Sequence, residues 1–469
     1  MTASAYQAVM DRKAQILRQA TGIDYERYLD GPLLVDYAGL MTSTGYSPAE
    51  VRALQRARGV GDTPMLELRN ITELVRSLAR PGCGARIFVK DEAANPSGSF
   101  KDRRASISAH HAKRMGYGGI VAATSGNYGA AVASQAAMCG LGAIVIQEAY
   151  DSEGRGQPEI LEKARKCEAL GAEVIQTTVG PELFYLLLKV LEETGWFNAS
   201  LYTPFSIQGI ETLGEEIIEG AIALTGRRPA MVICTHAGGG MCTGVARGLR
   251  SAGSEKTRVV GVSVDLTNLH MASDRDFNRK SFTTGHTGFS VPFTTWPDRA
   301  DVPRNAARSL RYLDRFVTVS QGSVFFATEL LAQAEGLERG PAGNISLAAA
   351  LVLARELPRD EVVVVTETEY TGAGKTPWAQ LSFARSVGVQ VVNGGPADEQ
   401  PGEVIALPLA LEQLACREID LDAVRRSYLR HAIALLGRPP SAAERAFLAE
   451  DSNLTPGELE TLLTSNAAD

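Results

Sequence analysis

Residues 86–102 read RIFVKDEAANPSGSFKD. A short apolar strand, Arg86 to Lys90, runs into an Asn95-Pro96-Ser97-Gly98 turn, and a helix follows from Phe100 to Met115. Lys101 then lies in the first helical turn. The positive end of the helix dipole there disfavours an ammonium and helps to lower the amine pKa. A lysine held neutral in this way suits Schiff-base chemistry. The plain alternative is a surface lysine beside Asp102.

The same rhythm continues on both sides of this stretch. Strands are expected at Gly119 to Ala123, Gly142 to Gln147, Ala172 to Gln176, Ala230 to Cys234, Arg258 to Val264 and Glu361 to Val365. Helices are expected at Asn127 to Met138, Pro158 to Leu170, Glu211 to Leu224 and Met241 to Arg250. Short, fully apolar strands alternating with helices of ten or more residues mark βαβ units around a buried parallel sheet. Ala5 to Ala20 reads as an amphipathic helix, and Ser47 as an N-cap with Pro48 at the first helical position. Residues 268–308 break the rhythm, being rich in Gly, Pro, Thr and Arg without a clear period. Beyond Ala410 the chain reads as helical again, with a helix from Arg417 to Leu436.

Composition bounds the classes of function. The 469 residues suggest about three domain-sized units. Hydrophobic residues at 45% and charged residues at 22% exclude a disordered chain. No apolar run reaches membrane-spanning length. The net charge of -7 argues against nonspecific nucleic-acid binding. Six cysteines are scattered, with no CxxC pair and no histidine at metal-ligand spacing, so neither a metal site nor a disulfide framework is expected. The N-terminus lacks the apolar region of a signal peptide, and a cytoplasmic location is the expectation.

Two more strand ends carry chemistry. One strand empties into Thr124-Ser125-Gly126-Asn127-Tyr128-Gly129, whose backbone amides at a helix start suit a polar or anionic group. Ordinary N-capping by Ser125 or Asn127 is the competing reading. The other runs from Cys234 into Ala237-Gly238-Gly239-Gly240-Met241-Cys242-Thr243-Gly244. Consecutive glycines before a helix let the backbone wrap a phosphate, although the motif is neither a Walker A loop nor a Rossmann fingerprint. A tight structural turn is the alternative. His236 and Cys242, which flank the cluster, read as structural, with an acid or nucleophile as the alternative; His110-His111 read as structural, with at most one near a cofactor.

The three segments, preceded by Gly61-Asp62-Thr63-Pro64, together resemble the pyridoxal-phosphate enzymes of the tryptophan-synthase-β fold type, over about residues 60–410. The resemblance implies an α/β, fold type II enzyme of two domains, each a mostly parallel twisted sheet flanked by helices. The divisions expected are a helical N-terminal extension (1–60), a large cofactor-binding domain (61–104 and 211–410), a small domain (105–210) and a helical tail (411–469). By motif, Lys101 is similar to the Schiff-base lysine, and Asn127 to the partner of the pyridine hydroxyl. Gly238, Gly239, Gly240, Met241 and Thr243 are similar to the phosphate cradle. Glu338 to Gly343 resembles the family's Glu-Pro-x-Gly turn, here with two residues between Glu and Pro. Thr371 is similar to the hydroxyl facing the pyridine nitrogen, with Thr366 or Thr368 as alternatives. Ser125, Gly126, Tyr128 and His286 are expected at the substrate, and His270 belongs to the same irregular block.

Narrower matches are Lys101-Asp102-Arg103-Arg104, Gln157-Pro158-Glu159-Ile160, Asn198 to Tyr202, and the block from His270 to Arg304. They resemble the family of 2-amino-4-oxopentanoate thiolase β subunits. Threonine synthases usually carry Asp-Arg-Gly after the lysine, where this chain has Asp102-Arg103-Arg104. The resemblance implies cleavage of 2-amino-4-oxopentanoate by coenzyme A to acetyl-CoA and D-alanine in ornithine breakdown, with a separate small α subunit and an oligomeric assembly. Arg275, Arg279, Lys280, Arg299 and Arg304 are candidate cations for coenzyme A phosphates, against the alternative of a solvated basic surface. The competing functions are a β-eliminating or β-replacing enzyme like threonine synthase or a serine/threonine dehydratase, and a non-catalytic regulatory or scaffolding subunit.

Overall fold

The computed structural model describes residues 3–124, 126–180, 182–266, 274–283, 302–370 and 377–465. Two sheets organise them. The larger has seven strands in the spatial order Arg417–Glu418, Arg315–Val319, Arg258–Val264, Met231–Thr235, Val362–Glu367, Arg86–Asp91 and Met65–Glu67. Its five inner strands run parallel, and the two outermost pair antiparallel. The smaller is fully parallel, in the order Glu173–Thr178, Gly142–Tyr150, Gly119–Thr124, Phe197–Asn198.

The inner strands have no polar face because both of their faces are covered. Val362 to Val365 and Met231 to Cys234 are buried throughout, as continuous Val/Ile runs in a parallel sheet require. Parallel pairing also sets the strand ends in line: Val365 lies opposite both Val89 and Ile233. Asp91, Thr235 and Glu367 therefore leave the sheet at one edge, the carboxyl edge, where ligands gather in open α/β sheets.

The helix Lys101–Arg114 leaves that edge and packs between Asn127–Cys139 and Pro204–Thr225. The last of these starts seven residues before the sequence reading placed it. Thr203 caps it by accepting a hydrogen bond from Ser206 N, and Pro204 takes the first turn. Phe205, Ile207, Ile210, Leu213 and Ile217 are buried together with Ser206 and Gln208, so the segment presents no polar stripe from which to read a helical period.

Both ends of the chain depart from simple helices. The expected first helix is two, Ala3–Asp11 and Lys13–Thr21. Ser47 does cap its helix, in a reciprocal box with Glu50 and with Pro48 in the first turn. In the tail, Arg417–Glu418 forms an edge strand against Arg315–Val319, and the helix begins only at Leu421 with Asp420 as its cap. Strand Arg315–Val319 itself escaped the sequence reading, because it follows the irregular block directly. No helix among the described residues is long and apolar enough to cross a membrane.

Candidate active site

Lys101 is the first residue of its helix. Asp102 fixes that start: it accepts from Ser97 N at 2.7 Å and from Gln135 Nε2 at 2.9 Å. Burial raises the Asp102 carboxyl to about 6. Arg103 is wholly enclosed between two carboxylates, with Nε 2.6 Å from Glu92 and Nη1 2.8 Å from Glu216. Lys90 adds a 2.7 Å ion pair to Glu216. A buried network this complete ties the strand end to the helix start, since breaking one partner strands a charge away from water.

Lys101 itself, only partly buried, has no hydrogen bond or ion pair among the described residues; its amine lies 4.5 Å from the centre of the Phe100 ring. Burial, then repulsion from Arg104 and Lys163, holds the amine well below the ordinary lysine range. A neutral amine is a nucleophile for a carbonyl carbon and a base for a carbon-bound proton.

The segment leaving strand Val362–Glu367 closes over this point. Phe100 N donates to Thr368 O at 3.0 Å, and Tyr370 N donates to Gly98 O at 2.7 Å. Ser99 thereby pairs with Glu369 in an antiparallel bridge. Glu369 reaches Asn127, the first residue of its helix, whose Nδ2 donates to Oε2 at 3.1 Å. The other amide atom of Asn127, Oδ1, is buried and has no partner among the described residues. Glu367 is fully enclosed with both carboxyl oxygens unpartnered among the described residues. Burial and the charges of Glu369 and Asp91 push it well above the usual carboxylate range. The Glu338 to Gly343 turn packs against it: a Cβ at Gly343 would stand 1.5 Å from Glu367 Oε1, so a side chain there would displace the carboxyl group. Sequence reasoning missed Glu367 and Glu369; their alternation in Thr366-Glu367-Thr368-Glu369, at the end of a Val-rich strand, was the available signal.

The glycine cluster turns from strand Met231–Thr235 into helix Gly240–Ser251, with Gly239 at φ +79° as the cap. The turn has no room for side chains. A Cβ at Gly238 would stand 2.1 Å from the Tyr202 hydroxyl, and one at Gly240 would stand 1.7 Å from Arg104 Nη2. Thr243 braces the loop by donating to Gly239 O at 2.9 Å. Met241 accepts at sulfur from the Thr366 hydroxyl at 3.1 Å. That bond occupies Thr366, one of the two alternatives for the pyridine nitrogen. Ser125, His270, His286, Arg299 and Thr371 lie outside the described residues.

This geometry bears on several of the sequence readings. Tyr128, expected at the substrate, is buried, with its hydroxyl donating to Ala199 O. Of the cations offered for coenzyme A, Arg279, Lys280 and Arg304 are already engaged. Arg279 pairs with Asp151 at 2.9 Å and Glu153 at 2.6 Å, and Lys280 with Asp274 at 2.7 Å. Arg304 is buried, with Nη2 donating to Pro32 O at 2.5 Å. His236 is structural, as read: burial lowers it to about 3, and its Nε2 lies 2.9 Å from Ser309 Oγ. Cys242 is buried beside Cys234, which pushes its thiol well up.

These features fit pyridoxal phosphate. Lys101 offers an amine of lowered pKa, Asn127 an amide oxygen unpartnered among the described residues, and Gly238 to Gly240 an amide-lined turn at a helix N-terminus. Comparison with known proteins agrees. The family described as "Pyridoxal-phosphate dependent enzyme" matches residues 57–369. A 2-amino-4-ketopentanoate thiolase beta subunit from an unknown prokaryotic organism is 61% identical over 96% of this chain and 95% of its own length. A protein of the same name from Acetoanaerobium sticklandii is 58% identical over 92% of both. A threonine synthase from Bacillus sp. (strain ULM1) is 25% identical over 71% of this chain and 89% of its own. Among solved structures, an O-ureido-L-serine synthase variant shares the fold, with a TM-score of 0.52 and 23% identity over 67% of this chain and 89% of that one. The chain belongs to the pyridoxal-phosphate dependent enzyme family, in the group of the 2-amino-4-ketopentanoate thiolase beta subunits.

Proposed function

We propose that this chain is the cofactor-bearing β subunit of a thiolase that cleaves 2-amino-4-oxopentanoate with coenzyme A, giving acetyl-CoA and D-alanine in ornithine breakdown. The supporting observation is 61% identity sustained over 96% of the chain, with Lys101 unpaired at the centre of the site. The threonine synthase likeness, at 25%, is a likeness of the wider family.

In this reading, residues 61–104 and 211–410 hold the cofactor and residues 105–210 form the smaller unit. Pyridoxal phosphate, when bound, supplies the electron sink that lets a carbanion form on the amino-acid skeleton. Lys101 would hold the cofactor through its amine and would move the Cα proton of the substrate. Its amine can do both because burial and Arg104 keep it from holding a proton permanently. Asn127 would hold the ring through its side-chain amide, Gly238, Gly239, Gly240, Met241 and Thr243 would hold the phosphate, and Thr371 is the residue assigned to the ring nitrogen. Ser125, Gly126 and His286 are assigned to substrate binding. The thiolate of coenzyme A attacks the C4 carbonyl carbon, the C3–C4 bond breaks, the acetyl group stays on sulfur, and C3 takes up a proton to complete alanine.

A small α subunit completes the enzyme, which assembles as an oligomer in the cytoplasm. The test is coenzyme-A-dependent thioester formation by the purified chain with and without that partner. Acetyl-CoA and alanine in equal amounts, lost in Lys101→Ala by about 10³-fold or more, are the expected result. Ammonia release without any need for coenzyme A would replace this reading with β-elimination.

A further inference from the structure

Arg104 lies one helical turn beyond Lys101, in the same helix. It is 3% exposed, and its guanidinium rests against the backbone of Gly240, the first residue of the next helix. Among the described residues its one hydrogen bond runs from Nη1 to Leu201 O at 3.2 Å, and its buried Nε has no partner. No carboxylate pairs with it among the described residues. Its neighbour Arg103 is equally buried, yet is met by Glu92 and Glu216 from two sides.

Burial leaves Arg104 in a poor place for a positive charge. A helix N-terminus adds roughly half a positive charge of its own. A guanidinium fixed at such a point is favourable only opposite an anion with several acceptor oxygens. A phosphate monoester at the Gly238–Gly240 amides would meet both the helix end and the donor fork of Arg104.

We propose that Arg104 is a direct ligand of the cofactor's phosphate, so that the cradle reads the phosphorylated cofactor through a cation as well as through backbone amides. The proposal rests on the reading that pyridoxal phosphate occupies this cradle. It gives Arg104 a role in selecting pyridoxal phosphate over pyridoxal.

The test titrates the full-length apoprotein with pyridoxal phosphate and with pyridoxal, following absorbance, for wild type, Arg104→Met and Arg104→Lys. Circular dichroism checks that each is folded. The expected result is a loss of pyridoxal phosphate affinity of about 10- to 100-fold in Arg104→Met, partial recovery in Arg104→Lys, and unchanged affinity for pyridoxal. Equal losses for both ligands would make Arg104 structural and overturn the proposal. Unchanged cofactor affinity with a raised KM for the amino-acid substrate would overturn it in favour of a substrate-carboxylate contact. Failure of the underlying reading looks different: the wild type would then give no borohydride-trapped adduct on Lys101.

Discussion

Asn127 donates its side-chain amide to Glu369, 242 residues away, at 3.1 Å, and its own Oδ1 remains buried without a partner among the described residues. A helix start in the small sheet's layer is thereby tied to the strand end of the large sheet, beside Lys101. Replacing Asn127 by Ala removes the tie and the free amide atom together. Cofactor affinity should fall about tenfold, with a shift of the visible absorbance maximum. An unchanged spectrum and affinity would show that Asn127 only joins the two layers.

The depressed amine of Lys101 carries a pH signature in the apoprotein. The native state holds this proton less readily than the unfolded chain, so stability rises as pH climbs toward the ordinary value of 10.5. Lys101→Met has no such proton. Its advantage in Tm over wild type at pH 7 should shrink steadily toward pH 10, and a constant gap would contradict the burial-driven shift.

Glu367 predicts the opposite slope. Its raised pKa means that the native state keeps a proton which the unfolded chain releases above about 4.5. Wild type therefore loses stability as pH rises from 4.5, by up to about 1.4 kcal/mol for each pH unit until the native value is reached. Glu367→Gln does not titrate. Denaturant unfolding should show the variant gaining on wild type between pH 5 and pH 8; parallel curves would mean Glu367 is ionised in the fold.

Arg279 and Lys280 form ion pairs with Asp151, Glu153, Asp276 and Asp274. Charge reversal of both should destabilise the region, because it sets like charges together. The apparent KM for coenzyme A should stay within about twofold, since partly exposed local pairs leave little spare charge for a ligand. A rise of tenfold or more would return these residues to the coenzyme A site.

The tail is bound to the body through a buried pair. Arg308 reaches Asp451 through both Nε and Nη2, and Tyr428 Oη donates to the same carboxylate at 2.5 Å. Next to Arg308, Ser309 meets His236 at the glycine turn. Asp451→Ala strands a buried guanidinium and should cost about 3–5 kcal/mol by urea unfolding. A cost below about 1 kcal/mol would show the tail to be loosely held.

Much of this arrangement was legible before any coordinates. The Val/Ile runs, the glycine cluster and the Ser99-Phe100-Lys101-Asp102 turn are local patterns, and local patterns specify strand, tight turn and helix start through backbone sterics and hydrogen bonding alone. Burial partners are another matter. That Arg103 would be clasped by Glu216 as well as by nearby Glu92 while Arg104 would meet no carboxylate among the described residues, or that Glu369 would stand beside Ser99 and Asn127, depended on segments more than a hundred residues apart lying side by side. The basic residues near position 280 taught the same lesson in reverse, since Asp151 and Glu153 neutralise Arg279 across more than 120 residues. Linear order carries the type of each group and its nearest neighbours. Charge state, exposure and available bonding capacity come from the packed environment, because they depend on the dielectric and on the groups that tertiary contact brings within a few ångströms.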